Sequence, residues 1–123
     1  MALLSTTAEN TAIASIFVPS TTYYLSLHSA TPGQTGANEI TGGSYARQAI
    51  TFGSATNGAE VSTNSQTFTN LPAESGGIPY FGLWTTATGG SYIGGGTTSG
   101  LSGNLPAGIS VNFATGQTSV SIA

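Results

Sequence analysis

Residues 21–28 read Thr-Thr-Tyr-Tyr-Leu-Ser-Leu-His, and this stretch decides the fold. Tyr23, Leu25 and Leu27 alternate with Tyr24, Ser26 and His28, the period of two that a half-buried strand shows. Upstream the period is different. Thr6 and Glu9 have capping-box spacing, and Ala12, Ile13, Ile16 and Phe17 fall on one helical face before Pro19 stops the pattern. A helix of about eleven residues is marginal alone, so this face needs something to pack on.

Downstream the period of two recurs. Residues 44–52 place Ala46, Ile50 and Phe52 on one side, and residues 60–71 read as strand around Val61 and Phe68. Residues 78–86 hold Tyr80, Phe81, Leu83 and Trp84, the densest aromatic segment. A tight turn at 87–90 leads into 91–97. Ile109, Val111 and Phe113 share a face, as do Val120 and Ile122. Seven or eight short strands with Gly-rich turns between them predict an all-β sandwich or barrel. The division expected is one domain, with residues 1–19 a helical segment packed on a sandwich of residues 20–123. Thr-Gly-Gly-Ser-Tyr occurs at 41–45 and 88–92, and Asn-Leu-Pro-Ala at 70–73 and 104–107. The two offsets disagree, so the repeats are reused turn chemistry rather than a duplicated domain.

Composition narrows the function. The chain has 123 residues, the size of one domain. Its only charged side chains are Glu9, Glu39, Glu60, Glu74 and Arg47, for a net charge of −3. One cation cannot neutralise a run of phosphates, so direct nucleic-acid binding is not expected. Isolated glutamates give no Ca²⁺ or Mg²⁺ cage, and one His with no Cys gives no zinc or iron–sulfur set. Eleven aromatic residues and 38% hydrophobic content are enough for a modest core. No apolar run is long enough to span a membrane, and no secretory signal is apparent.

The expected catalytic, cofactor and metal sets are therefore empty. Serines abound, but a nucleophile needs a base, and His28 is the single imidazole; it reads as a surface or interface histidine. No two of the four glutamates form a favoured glycosidase pair. Gly94-Gly95-Gly96 lacks the Lys and the helix of a phosphate loop and reads as a flexible or bulged strand. Arg47 belongs on a solvent or partner face with Glu39 across the loop, a pair contributing about 0–1 kcal/mol if exposed. As an interface anchor it is a candidate because Arg is enriched at hot spots. Tyr24, Tyr45, Tyr80, Trp84 and Tyr92 supply a possible sugar-stacking platform. The candidate interface residues are Arg47, Glu39, His28, Tyr45, Trp84 and Tyr92.

Several blocks together resemble a family of small tailed-bacteriophage virion proteins. They are Ala8-Glu9-Asn10, the run from Tyr24 to Ala30, the run from Gly36 to Gln48, Phe81-Gly82-Leu83-Trp84, and Ala87-Thr88-Gly89-Gly90. The likeness runs from about residue 4 to 97, with a departure at Thr31, where relatives often carry Asp. Members are labelled tail-fibre-like or capsid-decorating. The resemblance implies a single antiparallel β-sandwich, jelly-roll-like, with one short N-terminal helix, and no enzyme. It further implies a trimer on the virion head that cements neighbouring copies of the major capsid protein. The chain would be made in the host cytoplasm. The alternative is a tail-fibre or tail-tip domain whose partner is host glycan. Residues 1–7 and the 29–43 loop are the expected contact elements, and scarce charge favours association. Few titratable groups predict stability nearly flat from about pH 6 to 9 and weak dependence on salt.

Overall fold

The computed structural model describes residues 4–122, and they bear out the all-β reading with one short helix. In chain order the elements are α1 (Thr6–Ile16), β1 (Tyr23–His28), β2 (Gln48–Ile50), β3 (Ala59–Val61), β4 (Gln66–Phe68), β5 (Tyr80–Trp84), β6 (Tyr92–Thr97), β7 (Val111–Phe113) and β8 (Ser119–Ser121). They form a four-stranded sheet of order β2-β1-β5-β6 and two pairs, β3-β8 and β4-β7. Pairings β1–β5, β5–β6 and β3–β8 are antiparallel. The residues fall into two compact units, each built from segments distant in sequence.

The first unit contains α1, the segment Ile50–Gln66 and the C-terminal strand β8. Its helix starts one residue earlier than the capping-box spacing predicts. Ser5 has the extended backbone of a cap, and its side chain accepts the Ala8 N–H at 3.2 Å. Thr6 is already helical, so Glu9 is not its capping partner; the Glu9 N–H bonds the Ser5 carbonyl at 2.9 Å instead. Phe17 ends the helix by donating its N–H to the Ile13 carbonyl at 2.8 Å. Of the expected apolar stripe only Ile13 and Phe17 are buried, one turn apart, while Ile16 stays 43% exposed. Phe17 packs tilted on Phe52 with ring centroids 5.2 Å apart. Burying two such side chains contributes about 1.5–3 kcal/mol each, which holds a helix too short to stand alone.

Strand β3 turns its valine outward and its glutamate inward. Val61 is 49% exposed, whereas Glu60 is only 1% exposed. The turn before the strand sets this register. Asn57 and Gly58 take positive φ, and Thr56 and Ala59 exchange backbone hydrogen bonds across them. Gly58 donates its N–H to the Asn10 side chain of α1 at 2.7 Å. Alternation from Ala59 then turns Glu60 and Ser62 inward.

The second unit carries β1, β5 and β6, with Leu25, Leu27, Ile40, Phe68, Leu71, Ile78 and Leu83 buried. The alternation of β1 is as expected, but its second face is covered too: Ser26 and His28 are fully buried. Ala46, expected beside Ile50, is exposed, and the strand there is only three residues long. Strands β5 and β6 form the hairpin placed by the 87–90 turn. Leu83 faces Gly94 and Trp84 faces Tyr92, so Ile93 is the extra residue of a bulge. The turn chemistry of the Thr-Gly-Gly-Ser-Tyr repeat holds in both copies, where Gly42, Gly43, Gly89 and Gly90 all have positive φ.

Candidate functional site

All six candidate interface residues come together in the second unit, around the face of the sheet that the Leu25/Leu27 pattern turns away from. Strand register supplies the frame. Ser26 lies opposite Gly82, His28 opposite Tyr80, and Tyr24 opposite Trp84. Gly82 leaves a gap that a methyl group would close: a Cβ there would stand 2.6 Å from Ser26 Oγ and 2.8 Å from His28 Nε2.

A hydrogen-bond chain fills that gap, and donor rules fix its direction. Trp84 Nε1–H can only donate, and it does so to Ser26 Oγ at 2.8 Å. The Ala37 carbonyl can only accept, so His28 Nδ1 carries a proton and donates it there at 2.7 Å. Burial favours the neutral ring, and in the neutral ring Nε2 accepts from the Ser26 hydroxyl, 2.7 Å away. Burial pushes the His28 pKa down; the Ala37 bond and the Glu39 charge oppose this in part, and Arg47 adds to it. The surface placement expected for His28 is thus overturned. A Ser–His pair at 2.7 Å has the spacing of a nucleophile and its base, but both side chains are fully buried and the serine oxygen is already occupied by the indole.

A charged cluster adjoins this chain. Residues 38–40 return along β1, with Ser29 N–H bonded to Asn38 O and Ile40 N–H to Leu27 O, which sets Glu39 beside His28. Arg47 meets Glu39 through two bonds, Nε to Oε2 at 3.0 Å and Nη2 to Oε1 at 2.9 Å. Its Nη1 donates to the carbonyls of Thr86 and Gly89, at 3.1 and 2.8 Å, and so ties down the turn between β5 and β6. The guanidinium lies 3.7 Å from the centroid of the Trp84 ring. Tyr45 donates to Glu39 Oε2 at 2.6 Å and accepts the Leu27 N–H at 3.1 Å. Its ring stacks on Phe68. Tyr92 meets Trp84 edge-on at 5.2 Å.

Arg47 is therefore not on a solvent face. The pair is partly buried, with side-chain exposures of 9% for Arg47 and 21% for Glu39. Burial pushes the Glu39 carboxyl up, but the Arg47 and Tyr45 hydrogen bonds pull it further the other way, and it ends below its ordinary value. Burial, reinforced by the Glu39 carboxylate, raises the Tyr45 phenol far above its usual range. The loop from 29 to 43 contributes directly to this packing. Gly36 has φ +75° and lies against the indole, where a Cβ would stand 2.5 Å from Trp84 Cζ2.

Sequence reading missed Ser26, Gly36 and Gly82, which have no chemistry of their own to attract notice. The available signal was parity: Ser26 and His28 are two apart on one strand, and a glycine interrupts the aromatic run of 80–84. Glu60 was also missed. Neither of its carboxylate oxygens has a hydrogen-bond partner among the described residues, and burial raises its pKa. Also among the described residues, no group of three or more His, Cys, Asp or Glu could hold a metal ion, and no helix is long and apolar enough to cross a membrane. The expected contact segment 1–7 is described only from residue 4, where Leu4 is exposed; residues 1–3 lie outside the described residues.

Comparison with known proteins agrees with the phage resemblance. Residues 2–121 match the family described as podophage GP4 fiber I protein gp80. A search of curated proteins finds no match. The family match covers almost the whole chain, so the chain belongs to that family of phage virion proteins.

Proposed function

We propose that this member of a phage fibre-protein family is a structural subunit of the virion fibre, acting through contacts with other virion proteins and not through catalysis. One observation carries the reading: the residues able to do chemistry are engaged inside their own fold. Arg47 spends its donors on Glu39 and two backbone carbonyls, and the Ser26–His28 pair is sealed. Apart from the half-buried Glu9 and Glu74, what remains outward is neutral and in part apolar, including Leu4, Ile16, Val18 and Val61. Surfaces of that kind associate without charge repulsion, and exposed strand edges offer main-chain hydrogen bonds to a partner. The fibre placement is favoured over the head because the family description is of a fibre protein.

The second reading is a trimeric head-cementing protein on the major capsid protein. Scarce charge favours it as much as the fibre, since added neutral interface stabilises any assembled shell by mass action. Copy number separates the two. Quantitative gel densitometry of purified virions is expected to give a few to a few tens of copies per particle for a fibre subunit. Hundreds of copies would overturn the fibre reading in favour of the head. Light scattering of the isolated chain tests the trimer in the same way.

A further inference from the structure

A groove in the second unit adjoins the buried cluster and shares Tyr92 with it. It runs between the 31–34 segment, which contributes Thr31, Pro32, Gly33 and Gln34, and strand β6, with Tyr80 and Tyr92 at its sides, and its volume is about 370 Å³. We propose that this groove binds a neutral saccharide, of the size of one or two sugar rings. Small-ligand sites start at about 300 Å³, so the space is enough for such a ligand.

The lining selects the chemistry by elimination. No charged side chain borders the groove, and the chain's one cation is held by Glu39, Thr86 and Gly89. A phosphate, carboxylate or ammonium ligand would lose its hydration and find no countercharge. A purely aliphatic ligand would strip water from Gln34, Thr31, Thr97 and the peptide groups of Gly94-Gly95-Gly96 and return no hydrogen bonds. A pyranose fits both demands, because it has an apolar ring face and a rim of hydroxyls. Tyrosines provide an apolar body with a polar tip, suited to a site that is half wet. Gly94 lets the ring reach strand backbone, since a Cβ there would meet nothing within 4 Å, whereas Tyr92 and Phe81 already stand against Gly95 and Gly96.

The groove also relocates the sugar-stacking platform expected from sequence. Trp84 and Tyr45 are unsuited to it: one indole face is covered by the Arg47 guanidinium, and Tyr45 is stacked on Phe68. Tyr80 and Tyr92 line the groove.

Saturation-transfer NMR on the full chain tests this with the methyl glycosides of glucose, galactose, mannose and rhamnose, and with N-acetylglucosamine. At least one should bind with a dissociation constant of about 1 mM, the weak affinity of a small, polar ligand. Tyr80→Ala should weaken that binding about tenfold. Gln34→Ala, on an exposed segment away from the core, should weaken it without any change in thermal melting, which separates loss of the site from loss of the fold. The proposal is overturned if no neutral sugar binds, if both variants bind as wild type, or if glucuronate or glucosamine binds more tightly than its neutral parent. It is overturned equally if the groove resonances shift only with protein concentration, which would make a second copy the occupant. None of these results bears on copy number in the virion, so this proposal and the fibre reading fail separately.

Discussion

Glu39 in the second unit and Glu60 in the first are the same residue in opposite circumstances. Glu39 is partly buried and receives three donors, two from Arg47 and one from Tyr45, and its pKa falls below the ordinary value. Glu60 is almost completely buried with neither oxygen bonded among the described residues, and its pKa rises. Burial acts upward on both; partners decide the outcome. One carboxylate is therefore a joint in a closed network, while the other has no hydrogen-bond partner among the described residues, and burial disfavours its charged form.

The largest effect should come from opening the network. Arg47→Ala leaves Glu39 partly buried and uncompensated and frees the 85–90 turn, which should cost about 3–5 kcal/mol in a urea unfolding experiment. Arg47→Lys should recover less than half of that, because an ammonium cannot make the paired contact with both carboxylate oxygens or lie flat on Trp84. A loss under 1 kcal/mol for Arg47→Ala would mean the pair behaves as an exposed one and the contrast with Glu60 is unreal.

The next effect should have the opposite sign. Glu60→Met replaces an unpartnered carboxyl with an apolar chain of similar length, and should stabilise by about 1–3 kcal/mol. Destabilisation in the isolated chain would show that the carboxyl has a native partner. If the gain in stability came with failure to assemble, Glu60 would be held for a partner protein.

These two carboxylates also show what was legible beforehand. Strand positions were readable because alternation and Gly-rich turns are local signals; seven of the eight strands fall within segments so marked, while the 60–71 stretch, read as one strand, divides into β3, which starts at Ala59, and β4. Facing was less readable. A polar residue on the second face of β1 looks solvent-exposed until another segment covers it, and cover by residues 36–39 is a long-range fact. The facing of Val61 and Glu60 is unreadable for a related reason: hydrophobicity alone would turn Val61 inward, but the Asn57-Gly58 turn sets the register. The six candidate interface residues lie together because charged and aromatic residues are few here and most of them sit in the second unit. Their role as each other's partners was not readable, because the geometry that joins Arg47 to Trp84 exists only once β5 and the 38–47 segment are in place.

A smaller effect is expected at the helix start. Ser5→Ala removes the acceptor of the Ala8 N–H and should cost about 1 kcal/mol, whereas Thr6→Ala should cost no more than a few tenths. Equal losses would return the cap to Thr6. This exposed hydrogen bond calibrates the comparison, since it shows what one partner is worth in water against what Arg47 is worth under cover.

The shallowest effect is the dependence on pH, where the two carboxylates should pull in opposite directions. Glu39 titrates below its ordinary 4.5 in the folded chain, so the unfolded chain holds the extra proton and stability is lost as pH falls through that range. Glu60 titrates above 4.5, so the unfolded chain ionises first and stability declines as pH rises from 4.5 towards the folded value. His28 titrates below its ordinary 6.5, and its contribution is complete above 6.5 and lost on acidification. Tyr45 and Tyr92, both raised above 10.0, lower stability only in strong alkali. Urea midpoints should therefore climb from strong acid to pH 4.5, and above it the rise from His28, complete by 6.5, is opposed by the decline from Glu60. In Glu60→Met the opposing slope disappears, so stability should rise visibly between pH 4.5 and 6.5. A Glu60→Met profile that remains flat there would mean that His28 is not held neutral by the Ser26–Trp84 chain, and the closed network would lose its most sensitive member.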